Sequence, residues 1–126
     1  SVVRRKDGIL VAFMREEAFD SGDDQQLLHR ILVSQSCDEG ENWSLAAPTD
    51  LPNPNSSLEV LVLRDGHWVL VYNDSEKDRH TLALALSGDE GRSWPWQRRL
   101  EDKSGGQFHY PSIIQTRGVR PPAAGL

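Results

Sequence analysis

An octamer of this chain recurs with five of its eight residues identical. Ser36-Cys37-Asp38-Glu39-Gly40-Glu41-Asn42-Trp43 and Ser87-Gly88-Asp89-Glu90-Gly91-Arg92-Ser93-Trp94 share the pattern S-x-D-E-G-x-x-W, 51 positions apart. A repeat at fixed period restricts a chain to an array of like units, each burying its apolar face against a neighbour. The likeness extends outward from the octamers. Arg30-Ile31-Leu32-Val33-Ser34-Gln35 leads into the first, and Thr81-Leu82-Ala83-Leu84-Ala85-Leu86 into the second, each an apolar run of strand length. Asp7-Gly8 stands before Ile9 to Phe13, and Asp65-Gly66 before His67 to Tyr72. An Asp-Gly pair between two β-rich runs marks a hairpin, because the turn needs positive φ. A third copy without the Asp is expected to open at Ile113-Ile114-Gln115-Thr116-Arg117-Gly118.

The unit reads strand, Asp-Gly turn, strand, loop, strand, octamer turn, strand. Four antiparallel strands in roughly 50 residues is the size of a β-propeller blade. The expected fold is therefore all-β, about two four-stranded blades of a propeller that is incomplete unless oligomeric. Blade one covers ~1–51, blade two ~57–100 and the start of a third ~110–117, with an atypical tail over 118–126. One stretch competes for a helix. Leu27, Leu28, Ile31 and Leu32 have helix-like spacing within Asp23 to Leu32, but the repeat requires a strand before Ser36, so loop then strand is expected.

Within each octamer the chemistry is that of a self-contained turn. The Asp carboxylate accepts amides of its own loop, the Gly permits a conformation closed to other residues, and the Trp ring anchors the loop. This pattern resembles the Asp-box, or bacterial neuraminidase repeat, superfamily. The resemblance implies a six- or seven-bladed propeller with these boxes on its outer rim, away from the active site. Asp38, Asp89, Trp43 and Trp94 are then structural, and the two carboxylates are not a general acid and base.

Further landmarks narrow the resemblance. Leu51-Pro52-Asn53-Pro54-Asn55-Ser56-Ser57, Leu70-Val71-Tyr72-Asn73-Asp74, Arg79-His80 and Phe108-His109-Tyr110-Pro111-Ser112 resemble successive segments of bacterial sialidase-like proteins. That group includes exo-sialidases and propeller-type polysaccharide lyases. The implied activity is a glycoside hydrolase or polysaccharide lyase on acidic glycans, completed by further blades. The alternatives are a non-catalytic carbohydrate- or protein-binding module and an inactive truncated remnant.

A propeller gathers its site at one end of the channel, from innermost strands and inter-blade linkers. The linkers are Pro52 to Ser57 and Gly105 to Pro111. Asn53 and Asn55 are candidates for sugar hydroxyls, against a rival role in turn capping. Asn73 ends the strand Trp68 to Tyr72 and joins them as a candidate binding residue. Arg79 and Arg15 are candidates for a substrate carboxylate, which a guanidinium grips in fork geometry. Tyr110 and His109 are the candidate catalytic pair. In the sialidases a Tyr is the nucleophile, and in the lyases His and Tyr act as acid and base. Sialidases also use three Arg residues, an acidic acid/base group and a Tyr–Glu pair spread around the ring. Nothing marks Glu16 or Glu17 as such an acid.

Composition removes several other classes. The net charge of −5 repels phosphate backbones, which argues against a nucleic-acid partner. The apolar run Leu58 to Leu63 is far too short to span a bilayer, so no membrane partner is expected. Cys37 is alone, which excludes an internal disulfide, and no metal-ligand spacing or cofactor motif is present. No signal peptide is visible and the chain opens within the fold, so its location is left open. Closed propellers need at least four blades, about 200 residues at this period. A chain this short is expected to be part of one of about 350 residues, to close a six-bladed ring as a homotrimer, or to pair by strand exchange into a dimer that leaves the ring open. Pro121-Pro122 after Arg120 cannot enter a central strand, and a one-base slip in a GC-rich gene near Arg120 accounts for such a tail.

Overall fold

A computed structural model describes residues 1–15, 29–75, 79–103, 106–108 and 111–116. Eight strands are present among the described residues: β1 (Val2–Arg4), β2 (Leu10–Met14), β3 (Arg30–Ser36), β4 (Ala47–Pro52), β5 (Glu59–Val62), β6 (Trp68–Tyr72), β7 (Thr81–Ser87) and β8 (Trp96–Asp102). No helix occurs among those residues. The strands make two antiparallel four-stranded sheets, β1-β2-β3-β4 and β5-β6-β7-β8, each in chain order. This is the all-β architecture the repeat requires, with the two sheets in the size and order of two blades.

Strand β7 illustrates why these residues form sheets. Thr81, Ala83, Ala85 and Ser87 are buried while Leu82, Leu84 and Leu86 are half-buried, the period-two alternation of a strand covered unequally on its two faces. The small residues face the first sheet and allow it to approach. Val11, Phe13, Ile31 and Leu51 of the first sheet join Val60, Trp68, Leu70, Tyr72, Ala83, Ala85 and Trp94 of the second in one core. Phe13 stands edge-on to Trp68 at 6.2 Å and to Trp94 at 5.8 Å, the arrangement favoured by ring quadrupoles. The first strands of the two sheets, β1 and β5, adjoin, and the Val60 amide donates to Ser1 Oγ at 3.1 Å. At the other extreme β8 is an exposed edge carrying Arg98, Arg99, Glu101 and Asp102, charges that discourage further pairing.

Each Asp-Gly pair lies in a three-residue loop. The Arg5 amide donates to Ile9 O (2.8 Å) and the Gly8 amide to Arg5 O (3.0 Å); Leu63, Gly66 and His67 repeat both bonds. Positive φ falls on Gly8 (92°) and Gly66 (93°) alone, and the Asp side chains instead accept from the amides two residues on. Over 111–116, where a third copy is expected to begin, no strand forms. That segment is nevertheless held to the second sheet. The Arg64 amide donates to Gln115 Oε1 at 3.0 Å, and the Arg64 guanidinium donates to Thr116 O. Residues 117–126, including the tail with Pro121-Pro122, lie outside the described residues.

The two octamers match bond for bond. Ser36 Oγ donates to Asp38 Oδ1 (2.8 Å) and accepts from the Gly40 amide (2.9 Å), and the Asn42 amide donates to Asp38 Oδ1 (2.8 Å). Ser87, Asp89, Gly91 and Ser93 reproduce this at 2.7, 2.8 and 2.9 Å. Glycine is not the only residue in the left-handed region, since Glu39 (60°) and Glu90 (59°) precede Gly40 (89°) and Gly91 (87°) there. The tryptophans diverge. Trp43 is 41% exposed and its Nε1 donates to Gly40 O at 2.9 Å, whereas Trp94 is 7% exposed and packs on Phe13 of the first sheet. The ring of Trp94 thus anchors a neighbouring sheet rather than only its own loop.

Donated hydrogen bonds hold both turn carboxylates low, to about 2. For Asp38 the Asn42 amide leads, and for Asp89 the Ser93 hydroxyl. A carboxyl depressed on folding stabilises the fold above its unfolded pKa, and that stability is lost as pH falls through the folded value. Thermal midpoints should therefore hold down to about pH 5 and fall between about pH 4 and pH 2. Asp38→Asn and Asp89→Asn should each flatten that fall in a melting series at pH 6, 4 and 2, at the cost of a lower midpoint at pH 6.

Candidate functional site

Successive antiparallel strands place their connections alternately at the two ends of each sheet. The Asp-Gly loops and both octamers share one end. At the opposite end lie the chain after Met14, the linker between β4 and β5, the β6–β7 connection and the chain after Asp102. Arg15, Asn53, Asn55, Asn73 and Arg79 all belong to this second end. His109 and Tyr110 lie outside the described residues; the linker ahead of them is described as far as Phe108.

Asn53 is fully buried. Its Nδ2 donates to Ser56 O (2.9 Å), its Oδ1 accepts from the Ser56 amide (2.9 Å), and its own amide donates to His29 O (2.8 Å). Its side chain therefore closes the linker as a turn. The tip is Asn55, exposed and at φ 62°, a conformation that Asn tolerates better than most residues. The carbonyl of Asn55 accepts from Arg79 Nη2 at 3.1 Å, which ties the inter-sheet linker to the β6–β7 connection.

Asn73 is also fully buried, and its amide is a clamp. Nδ2 donates both to Thr81 O (2.7 Å) and to Phe108 O (3.2 Å). The Phe108 amide donates in turn to Arg79 O (2.8 Å), and the Lys103 amide to His80 O (3.0 Å). Asn55, Arg79, Asn73 and Phe108 thus form one network that fixes where the second linker leaves the sheet. Arg15 is exposed at the end of β2 and makes no hydrogen bond to this network among the described residues.

Replacing Asn73 by Ala leaves the buried Thr81 carbonyl and the part-buried Phe108 carbonyl short of a donor, a cost of about 2 kcal/mol. Amide exchange at Phe108 should quicken with it. Asn55→Gly, which keeps the exposed tip and its positive φ, should stay within about 0.5 kcal/mol of the parent in urea unfolding.

Sequence reasoning missed a charged group beside this network. Arg99 Nε lies 3.2 Å from Asp74 Oδ2, and its Nη1 lies 3.0 Å from Asp102 Oδ2. Asp102 Oδ1 is 3.5 Å from His80 Nε2. Arg99 reaches Asp74, 25 positions earlier in the chain, after the β7–β8 register shift between Leu82 and Ala83. No local pattern announces that shift. Tyr72, beneath this group, is fully buried, and burial foremost pushes its phenol well above the ordinary range. It stays protonated at neutral pH and is no general base.

The model of the BNR repeat-like domain matches residues 1–120, a range that contains both sheets and both octamer turns. The chain belongs to the BNR repeat-like domain family. No curated protein matches it. In this BNR repeat-like chain the conspicuous carboxylates of the repeat, Asp38 and Asp89, are held inside their own turns, at the end remote from Arg79 and Asn55.

Proposed function

We propose that the linker end of the two sheets is the glycan-handling face of a sialidase-like propeller. It acts on acidic sugars as a glycoside hydrolase or polysaccharide lyase. The observation that supports this most is the Arg79–Asn55 contact, which sets a guanidinium beside the exposed tip of the inter-sheet linker. Arg79 and Arg15 engage the substrate carboxylate, since a guanidinium offers two parallel donors to it. Asn55 offers its amide to sugar hydroxyls. Asn53 and Asn73, proposed as binding residues on sequence, act through the linkers they fix. Tyr110 and His109 supply the chemistry, Tyr110 as nucleophile in a hydrolase or the pair as base and acid in a lyase.

The propeller is closed by further blades or by copies of this chain. Light scattering decides between them, since closure by copies requires a trimer at three times 14.1 kDa. Release of sialic acid from sialosides, or of unsaturated uronate from polysaccharides, tests the activity. Turnover that disappears in Tyr110→Phe while binding persists supports the enzyme. Saturable binding with no turnover in the parent favours a lectin-like module, and neither binding nor turnover rejects the proposal.

A further inference from the structure

Each sheet has two faces, and the contact inside the chain uses a different one from each. The register fixes which. The octamer serines Ser36 and Ser87 pair with Leu10 and Trp68, so Leu10, Ala12 and Met14 of β2 correspond to Trp68, Leu70 and Tyr72 of β6. Trp68, Leu70 and Tyr72 face the first sheet and belong to the shared core. Their counterparts alternate with Val11 and Phe13, so they point out of the first sheet on its other side, half-buried. Leu32 pairs with Met14 on that outward face, and the exposed Val2 with Ala12. Ser34 and Ser36 give it the small residues that Ala85 and Ser87 give the second sheet. The octamers differ in the same sense. Trp94 reaches Phe13 on the neighbouring sheet, whereas Trp43 is exposed. Glu90 crosses to the neighbouring sheet and accepts from the Lys6 amide at 2.8 Å, whereas Glu39 turns back to Arg4 of its own sheet at 2.8 Å. The receiving face also recurs. Val11, Phe13 and Ile31, which receive the second sheet, correspond to Val69, Val71 and Leu82 on the second sheet's outer side. Leu82, Leu84 and Leu86 are half-buried there.

We propose that the outer face of the first sheet receives the outer face of the second sheet of another copy of this chain. The contact is head-to-tail, and it repeats between molecules the packing already made within one. It covers Trp43 as the first sheet covers Trp94. It also brings Glu39 to the loop at Arg64 of the other copy, as Glu90 meets the loop at Lys6. A second copy is the fitting occupant because this chain carries both halves of the contact, one on each sheet. Of the two routes to a closed ring this takes closure by copies. It involves no sugar, so it and the glycan-handling face stand or fall separately.

Light scattering should give the parent a mass well above the 14.1 kDa of one chain. Ala12→Lys sets a charge in the middle of β2 on the first outward face, and Leu82→Lys sets one beside Glu101 on the second. Each variant should fall to 14.1 kDa and keep a cooperative melt in circular dichroism. Mixed in equal amounts, the two should pair at twice 14.1 kDa, since each keeps the face that the other lacks. Charges of one sign keep the two altered faces apart. Leu84→Lys takes the place of Leu82→Lys if that variant lacks a cooperative melt. A monomeric parent overturns the proposal, and so does an Ala12→Lys variant that still assembles. Assembly that survives Leu82→Lys, or a mixture that stays at 14.1 kDa, overturns the head-to-tail contact.

Discussion

Gly91→Ala should destabilise the chain by about 3 kcal/mol or more, far beyond what a turn glycine ordinarily costs. Two effects add there. The residue sits at φ 87°, which an L side chain adopts only with strain of about 1 kcal/mol. A methyl at that point would also come within 2.9 Å of Trp68 and 3.0 Å of Phe13, both walled in by the core. Neither ring can swing away, so the methyl must push the two sheets apart, at about 1–3 kcal/mol for such overpacking. Gly40→Ala separates the two effects. Its φ is 89° but its nearest neighbours are 3.7 Å away, an ordinary contact. In urea unfolding, Gly40→Ala should cost only the strain, and the difference between the two variants measures the clash. Equal costs would mean that the second octamer does not press on the first sheet.

Trp68→Ala should be comparably severe, at about 3–5 kcal/mol. The ring is 1% exposed, lies between the sheets and receives the edge of Phe13 at 6.2 Å. Its removal opens a void against Phe13 and Gly91 that the flanking strands cannot collapse to fill. Trp43→Ala removes a tryptophan from the surface of the first octamer and loses one hydrogen bond, so about 1 kcal/mol is expected. A double-mutant cycle between Phe13→Ala and Trp68→Ala should return about 1 kcal/mol of coupling for the edge-on pair. Against a typical domain stability of about 5–15 kcal/mol, Trp68→Ala alone should leave a large unfolded fraction in circular dichroism at 37 °C.

Strong alternation makes a strand legible in the sequence by itself. Leu82, Leu84 and Leu86 interleaved with small residues announce β7, and the octamer after them announces its turn because Asp, Gly and Ser satisfy that turn from within. Strand β8 is legible only through the repeat. Its Trp96-Gln97-Arg98-Arg99-Leu100-Glu101-Asp102 is exposed throughout and carries no apolar alternation of its own. The different fates of Trp43 and Trp94 are not legible at all, because identical motifs are distinguished by whether a neighbouring sheet lies against the ring.

The linker end divides in the same way. Chain topology alone brings Arg15, Asn53, Asn55, Asn73 and Arg79 to one end, and the repeat makes that topology readable. The turn-capping role of Asn53 is one of the two readings its sequence offers, whereas the inward turn of Asn73 is not readable, since Asn73 depends on a carbonyl 35 positions away. An asparagine offering hydrogen bonds to a sugar and one offering them to a distant carbonyl look alike in a sequence. Arg99 escapes notice for a similar reason, as its partner Asp74 is brought near only by the β7–β8 register.

The most direct test of the glycan-handling face is a titration of the chain with sialyllactose and, separately, a uronate oligosaccharide, followed at the Asn55 amide and the Arg79 Nε–H. Saturable shifts at both, abolished for Asn55 by Arg79→Ala and unaffected by Asp89→Asn, are the predicted result. Resonances of Asn55 and Arg79 that stay fixed at every concentration of both sugars would contradict it.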